Sequence, residues 1–117
     1  MNAPPVLATT PDRDALWEHC RNSLGIARLL VTEGRPEPMV TTACQMAIEN
    51  ACRAALEQAG LPFDGDVAGS LRRLAARVDI GSLDDATGGP LLAATEKAIA
   101  RVAAYLRNAA PERSWGF

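Results

Sequence analysis

Apolar residues recur along this chain at helical spacing. From Pro11 onward Leu16, Cys20, Leu24, Ala27 and Val31 follow one another at intervals of three and four, with Trp17 flanking the stripe and Glu18, Arg21, Arg28 and Thr32 opposite. That pattern predicts an amphipathic helix of about 20 residues. Thr10-Pro11-Asp12 supplies its start, with Thr as N-cap, Pro at the first helical position and acidic groups in the first turn. The helix is expected to end near Gly34, where Arg35-Pro36-Glu37-Pro38 forces a break. A second helix follows, with Pro38 near its first turn and a stripe of Val40, Cys44, Ala47, Ile48, Ala51, Cys52 and Ala55. Gly60-Leu61-Pro62 stops it, a glycine terminator followed by proline. Asp66 caps a shorter third helix with Val67, Leu71, Leu74 and Val78 on one face and Arg72, Arg73 and Arg77 on the other. Gly81 ends it. Ser82 to Asp85 has the form of a capping box, which leaves room for a short fifth helical turn before Gly88-Gly89-Pro90. A last helix begins at or just after Pro90, its positions Leu92, Thr95, Ile99, Val102, Leu106 and Ala109 alternating at three and four, with Glu96, Lys97 and Arg101 facing away.

Four amphipathic helices on short connections, with no alternating strand pattern, predict an all-α fold, an antiparallel up-and-down four-helix bundle. Residues 1–10 read as a loose arm, 11–110 as one domain and 111–117, carrying Trp115 and Phe117, as an irregular tail. A chain of 117 residues is close to the commonest domain size.

Composition sharpens this picture. The hydrophobic fraction is 48% but the aromatic fraction only 4%, and 22 of the 117 residues are alanine. Alanine loses no side-chain entropy in a helix, so the bias favours helix. A core of Ala, Leu and Val buries little area per residue, and the alanines permit close approach; together these point to a second copy pairing through alanine-rich faces, a homodimer. Unbroken apolar runs extend to only a few residues, against the roughly 20 that a membrane span needs. The formal net charge is −2, so no global positive field draws the chain to nucleic acid. The N-terminus has neither the basic nor the apolar region of a signal peptide, which points to the cytoplasm.

Cys20, Cys44 and Cys52 show no metal-ligand spacing. On one helix Cys44 and Cys52 lie about 12 Å apart, beyond the roughly 7 Å that a disulfide spans. All three read as small core residues of a reducing compartment. No metal site and no cofactor is indicated.

Several residues are candidates for function. Glu49 and Arg53, at i and i+4, suit either a polar pair facing a ligand or partner or a simple surface pair. Arg72, Arg73 and Arg77 suit a phosphate-binding strip for nucleotide or RNA, or a solvated face. His19 with Arg21 has the wrong spacing for a phosphoacceptor histidine and reads as a surface residue.

The stretch Met46-Ala47-Ile48-Glu49-Asn50-Ala51-Cys52-Arg53-Ala54-Ala55-Leu56, followed by Gly60, resembles the second-helix signature of the HEPN family, the higher eukaryotes and prokaryotes nucleotide-binding domains. There a glutamine- and alanine-rich segment runs into a Glu, a Lys or Arg four residues on, an Ala/Leu run and a glycine. The resemblance implies a four- or five-helix up-and-down bundle, often dimeric, working beside a nucleotidyltransferase or an antitoxin. Many members are metal-independent ribonucleases whose Arg, followed by a polar residue, precedes a His by about five positions; the imidazole serves as general acid or base and the Arg stabilises the phosphorane. Here Arg107-Asn108 is followed by Pro111-Glu112-Arg113, without that histidine. The expectation is therefore a non-catalytic HEPN-like binding module. Alternatives are a divergent ribonuclease using Arg107 and Glu112, and a purely structural oligomerisation bundle.

Overall fold

The computed structural model describes residues 12–61, 63 and 88–117. Among them are three α-helices and no strand: α1 (Arg13–Thr32), α2 (Glu37–Ala59) and α3 (Gly88–Ala109). The arm at 1–10, the expected helix at 67–78 and the capping box at 82–85 lie outside the described residues.

Local chemistry sets the helix limits. Asp12, not Thr10, caps α1: its backbone is extended and its Oδ1 accepts from the Ala15 N–H at 2.8 Å. A carboxylate satisfies an orphan amide and also complements the positive end of the helix, which a threonine does not. At the far end Gly34 takes a left-handed φ of 66° and the Arg35 N–H returns to the Leu30 carbonyl, a turn that glycine adopts without strain. Gly60, with φ 72°, closes α2 in the same way, as its position before Pro62 predicts, and the Leu61 N–H reaches the Leu56 carbonyl. α3 starts at Gly88, two residues earlier than Pro90, which sits in its first turn where a missing N–H costs nothing.

Two clusters of buried side chains fix the helix directions. In one, Leu16, Trp17 and Cys20 of α1 meet the second half of α2 and Val102 and Leu106 of α3. In the other, Ala27 from late α1 meets Val40 and Cys44 from early α2 and Leu91 from the start of α3. α1 therefore runs antiparallel to both other helices, and α2 and α3 run parallel. α2 lies between its neighbours and buries ten residues, among them Ala43, Ala47, Ala51, Ala54 and Ala55. Those alanines are buried against the neighbouring helices, which they let come close.

Other expectations are corrected by contacts distant in sequence. Trp17 does not flank the core but is fully buried in it, and Ser23 of α1 is buried too while Val31 is only half-buried. On α3 the inward positions are Leu91, Thr95, Ala98, Ile99, Val102, Ala103 and Leu106; Leu92 is half-buried and Ala109 exposed. Glu96 does not simply face away: Arg28 donates to its Oε2 from Nε and lies within 2.7 Å through Nη2. The residues after α3 are irregular but packed. Trp115 is 1% exposed, meets Trp17 edge-on with ring centroids 5.6 Å apart, and donates from its indole N–H to the Ala110 carbonyl at 2.8 Å. Both tryptophans are therefore buried in the core, at the end of the bundle where α1 starts and α3 finishes.

Candidate functional site

The sequence-derived candidates do not converge. Arg53 is half-buried on α2 and its guanidinium stacks over the Phe63 ring, 4.7 Å from the centroid. Among the described residues no ion pair joins it to Glu49, also half-buried. The strip of Arg72, Arg73 and Arg77 lies outside the described residues. Arg107 is exposed in the last turn of α3, where a cation suits the helix terminus. Glu112 is exposed beyond that helix and pairs with Arg13 at 3.3 Å. His19 is exposed on α1.

The best-developed polar cluster holds the chain end against α1. Arg113 reaches Asp14 and Glu18, each at 3.1 Å, while Glu18 also receives Arg21. The guanidinium groups of Arg13 and Arg113 lie 4.9 and 4.5 Å from the Trp115 ring centroid. For Asp14, slight burial pushes the carboxyl pKa up, but hydrogen bonds from Arg113 and Arg13 outweigh it and hold it below the ordinary range. Glu18 is lowered chiefly by its hydrogen bond from Arg113, against a smaller effect of burial. Every group in this cluster is matched to a partner within the chain, so its chemistry is that of a clasp.

The cysteines are equally quiet. All three are free and buried. Burial, with the nearby Cys52 adding to it, pushes the Cys20 thiol up to about 12, and burial with the charge of Glu49 does the same for Cys52. Thiols that stay protonated are poor nucleophiles and poor metal ligands. Among the described residues no group of three or more His, Cys, Asp or Glu side chains is arranged to hold a metal ion, and no helix is long and apolar enough to cross a membrane.

One feature has no role among the described residues. Between α1 and α2 runs an open groove of about 500 Å³, walled by Ser23, Ile26 and Leu30 on one side and by Met39, Thr42 and Met46 on the other. Ile26, Met39 and Met46 are 54%, 46% and 51% exposed, and Leu29 beside them is 57% exposed. Among the described residues no charged side chain lines the groove. The Thr42 hydroxyl is already spent on the Pro38 carbonyl of its own helix, at 3.0 Å. The sequence reading did not find this surface, although it carried a signal: Ile26 and Leu29 fall off the stripe of the first helix, and Met39 and Met46, seven residues apart, fall off that of the second.

Comparison of the chain with known protein families, with curated proteins and with solved structures finds no match.

Proposed function

We propose that this chain is a non-catalytic, HEPN-like interaction module, a four-helix up-and-down bundle that acts by docking to another protein. The observation that carries the reading is the uncharged apolar groove between α1 and α2, a surface suited to protein contact and unsuited to acid–base or phosphoryl chemistry.

The finer fold is supported by the helix directions. α2 ends at the end of the bundle where α3 also ends, and α3 begins at the opposite end, so the chain from Leu61 to Gly88 has a full bundle length to cover, about 35 Å. A helix antiparallel to both, carrying the Val67, Leu71, Leu74 and Val78 stripe, would span about 18 Å of it, and the residues on either side of that stripe are enough to cover the rest. The family reading is supported by the placement of its signature on one helix: Ala47, Ala51, Ala54 and Leu56 are buried while Glu49 and Arg53 are half-buried. A nucleotidyltransferase or antitoxin partner belongs to that reading. Against the ribonuclease alternative stand the engagement of Glu112 by Arg13 and the lack of a histidine after Arg107.

Incubation of the full chain with single-stranded RNA in chelator tests this. The expected outcome is intact RNA, with Arg107→Ala and Glu112→Ala indistinguishable from the parent. Metal-independent cleavage that either substitution abolishes overturns the module reading.

A further inference from the structure

Among the described residues, accessible sulfur is confined to the groove. Met39 and Met46 both wall it from the α2 side and are about half exposed, two turns and about 10 Å apart along the helix. The other readily oxidised side chains are shut away: Cys20, Cys44, Cys52, Trp17 and Trp115 are all buried. We propose that Met39 and Met46 form a modification site for peroxides, and that their oxidation to sulfoxides turns the groove from apolar to polar and withdraws it from docking. The loss of docking rests on the interaction-module reading; the modification site does not.

Access and chemistry both direct the oxidant to these two side chains. A thioether needs no deprotonation. Its sulfur lone pair attacks one oxygen of hydrogen peroxide, the O–O bond breaks, and the other oxygen departs as hydroxide and takes the proton of the first to leave as water. Sulfur gives up two electrons and the peroxide gains two. Cysteine reacts as its thiolate, whereas the Cys20 and Cys52 thiols, pushed up to about 12 by burial, stay protonated. Burial raises Cys44 as well. Each new S=O group is a hydrogen-bond acceptor in a groove with few donors. The Thr42 hydroxyl is already spent on the Pro38 carbonyl, and Ser23, across the groove on α1, has one proton to donate and serves at most one sulfoxide. An apolar partner seated over both methionines therefore strips at least one S=O of water without replacing it, which weakens the contact about tenfold or more. The fold itself is spared, since neither methionine belongs to the buried clusters. The change is also reversible, because methionine sulfoxide reductases return the thioether.

Treatment of the full chain with hydrogen peroxide, followed by peptide mapping and native hydrophobic-interaction chromatography, tests the proposal. Met1 lies outside the described residues, so mapping rather than intact mass assigns each oxygen. Met39 and Met46 are expected to be mostly converted before any cysteine or tryptophan changes. The oxidised protein should elute earlier than the parent, with its far-UV circular dichroism and urea midpoint unaltered, and reductases of both stereospecificities should restore the parent's elution. A variant carrying Met39→Leu and Met46→Leu keeps the groove apolar, and its elution should not respond to peroxide. Oxidation of a cysteine or tryptophan ahead of both methionines overturns the site. Unchanged elution after both are converted overturns the switch, and so does a shift that persists in the double-leucine variant. A urea midpoint that falls on oxidation also overturns it, since the methionines would then be supporting the core. These outcomes are separable from the RNA assay: metal-independent cleavage removes the docking reading but leaves the site and the elution shift, whereas intact RNA with unreactive methionines leaves the module reading and removes the site.

Discussion

Replacing Trp115 with alanine tests whether the last residues of the chain belong to the core. The indole is buried, its N–H is bonded to the Ala110 carbonyl, and its ring meets Trp17 edge-on. Removing a buried tryptophan costs about 3–5 kcal/mol, a range that already contains the transfer of the ring and the space left behind. Within it the hydrogen bond accounts for about 1 kcal/mol and the aromatic contact for about 0.5–1.5 kcal/mol. The two guanidinium groups over the ring add little, because both reach water and rehydrate once the ring is gone, leaving roughly 0.5 kcal/mol each. A loss near 4 kcal/mol is expected, against a total of about 5–15 kcal/mol for a domain of this kind. Urea unfolding followed by far-UV circular dichroism measures it, and Trp115→Phe, which keeps a ring but loses the N–H, should fall about 1–2 kcal/mol below the parent. A cost under about 1 kcal/mol for Trp115→Ala would refute the reasoning, since a ring removed so easily cannot be filling the space between Trp17, Arg13 and Arg113.

Two further substitutions probe polar groups. The Thr95 hydroxyl is wholly buried and, among the described residues, finds only the weak Cys44 thiol as a partner; Thr95→Val keeps the shape, relieves most of the burial penalty and should stabilise the protein by about 0.5 kcal/mol, raising the thermal midpoint by about 2 °C. A destabilised Thr95→Val protein would mean instead that the hydroxyl is turned onto a carbonyl of its own helix. The carboxyls of Asp14 and Glu18 lie below their ordinary values of 3.8 and 4.5 in the fold. As pH falls the unfolded chain takes up these protons first, so the contribution is present above about pH 4.5 and is lost as pH drops through the lower folded values. Arg113→Gln should flatten that acid limb, an acid titration of thermal midpoints should show it, and a limb as steep as the parent's would refute the role of Arg113. Both carboxylates are about half exposed, so the effect is small in 0.15 M salt.

The parts of the fold legible in the sequence are those decided by neighbours along the chain. Gly60 and Pro38 mark helix limits through backbone geometry alone, and the stripe of α2 follows from a period that any helix imposes. Trp17 was misplaced because periodicity locates the middle of a buried face but not its width; the width on that side is set by Trp115, 98 positions away. The start of α1 is at Asp12, whose carboxylate accepts from the Ala15 N–H; a run with two good capping residues close together leaves that choice open in the sequence. Arg107 and Glu112 were linked by analogy to a ribonuclease motif, whereas Glu112 finds Arg13 on another helix. Arg53 and Glu49 have pair spacing, yet Phe63, beyond the end of the helix, gives the guanidinium a better surface.

The distribution of side chains between the two ends of the bundle bears most directly on function. At the end where α1 starts and α3 finishes, the chain concentrates Trp17, Trp115 and Phe117 together with the ion pairs of Arg13, Arg113, Asp14 and Glu18. Among the described residues the other end is filled by Ala27, Val40, Ala43, Cys44 and Leu91, small or medium side chains that bury far less area. It is at this weaker end that Ile26, Leu29 and Met39 remain about half exposed. A chain poor in aromatics could have spread its deficit evenly, but this one locks one end and leaves the other with apolar surface still in water. Covering that surface adds burial where the fold has least of its own, so a docked partner there is expected to stabilise the protein as well as to recruit another.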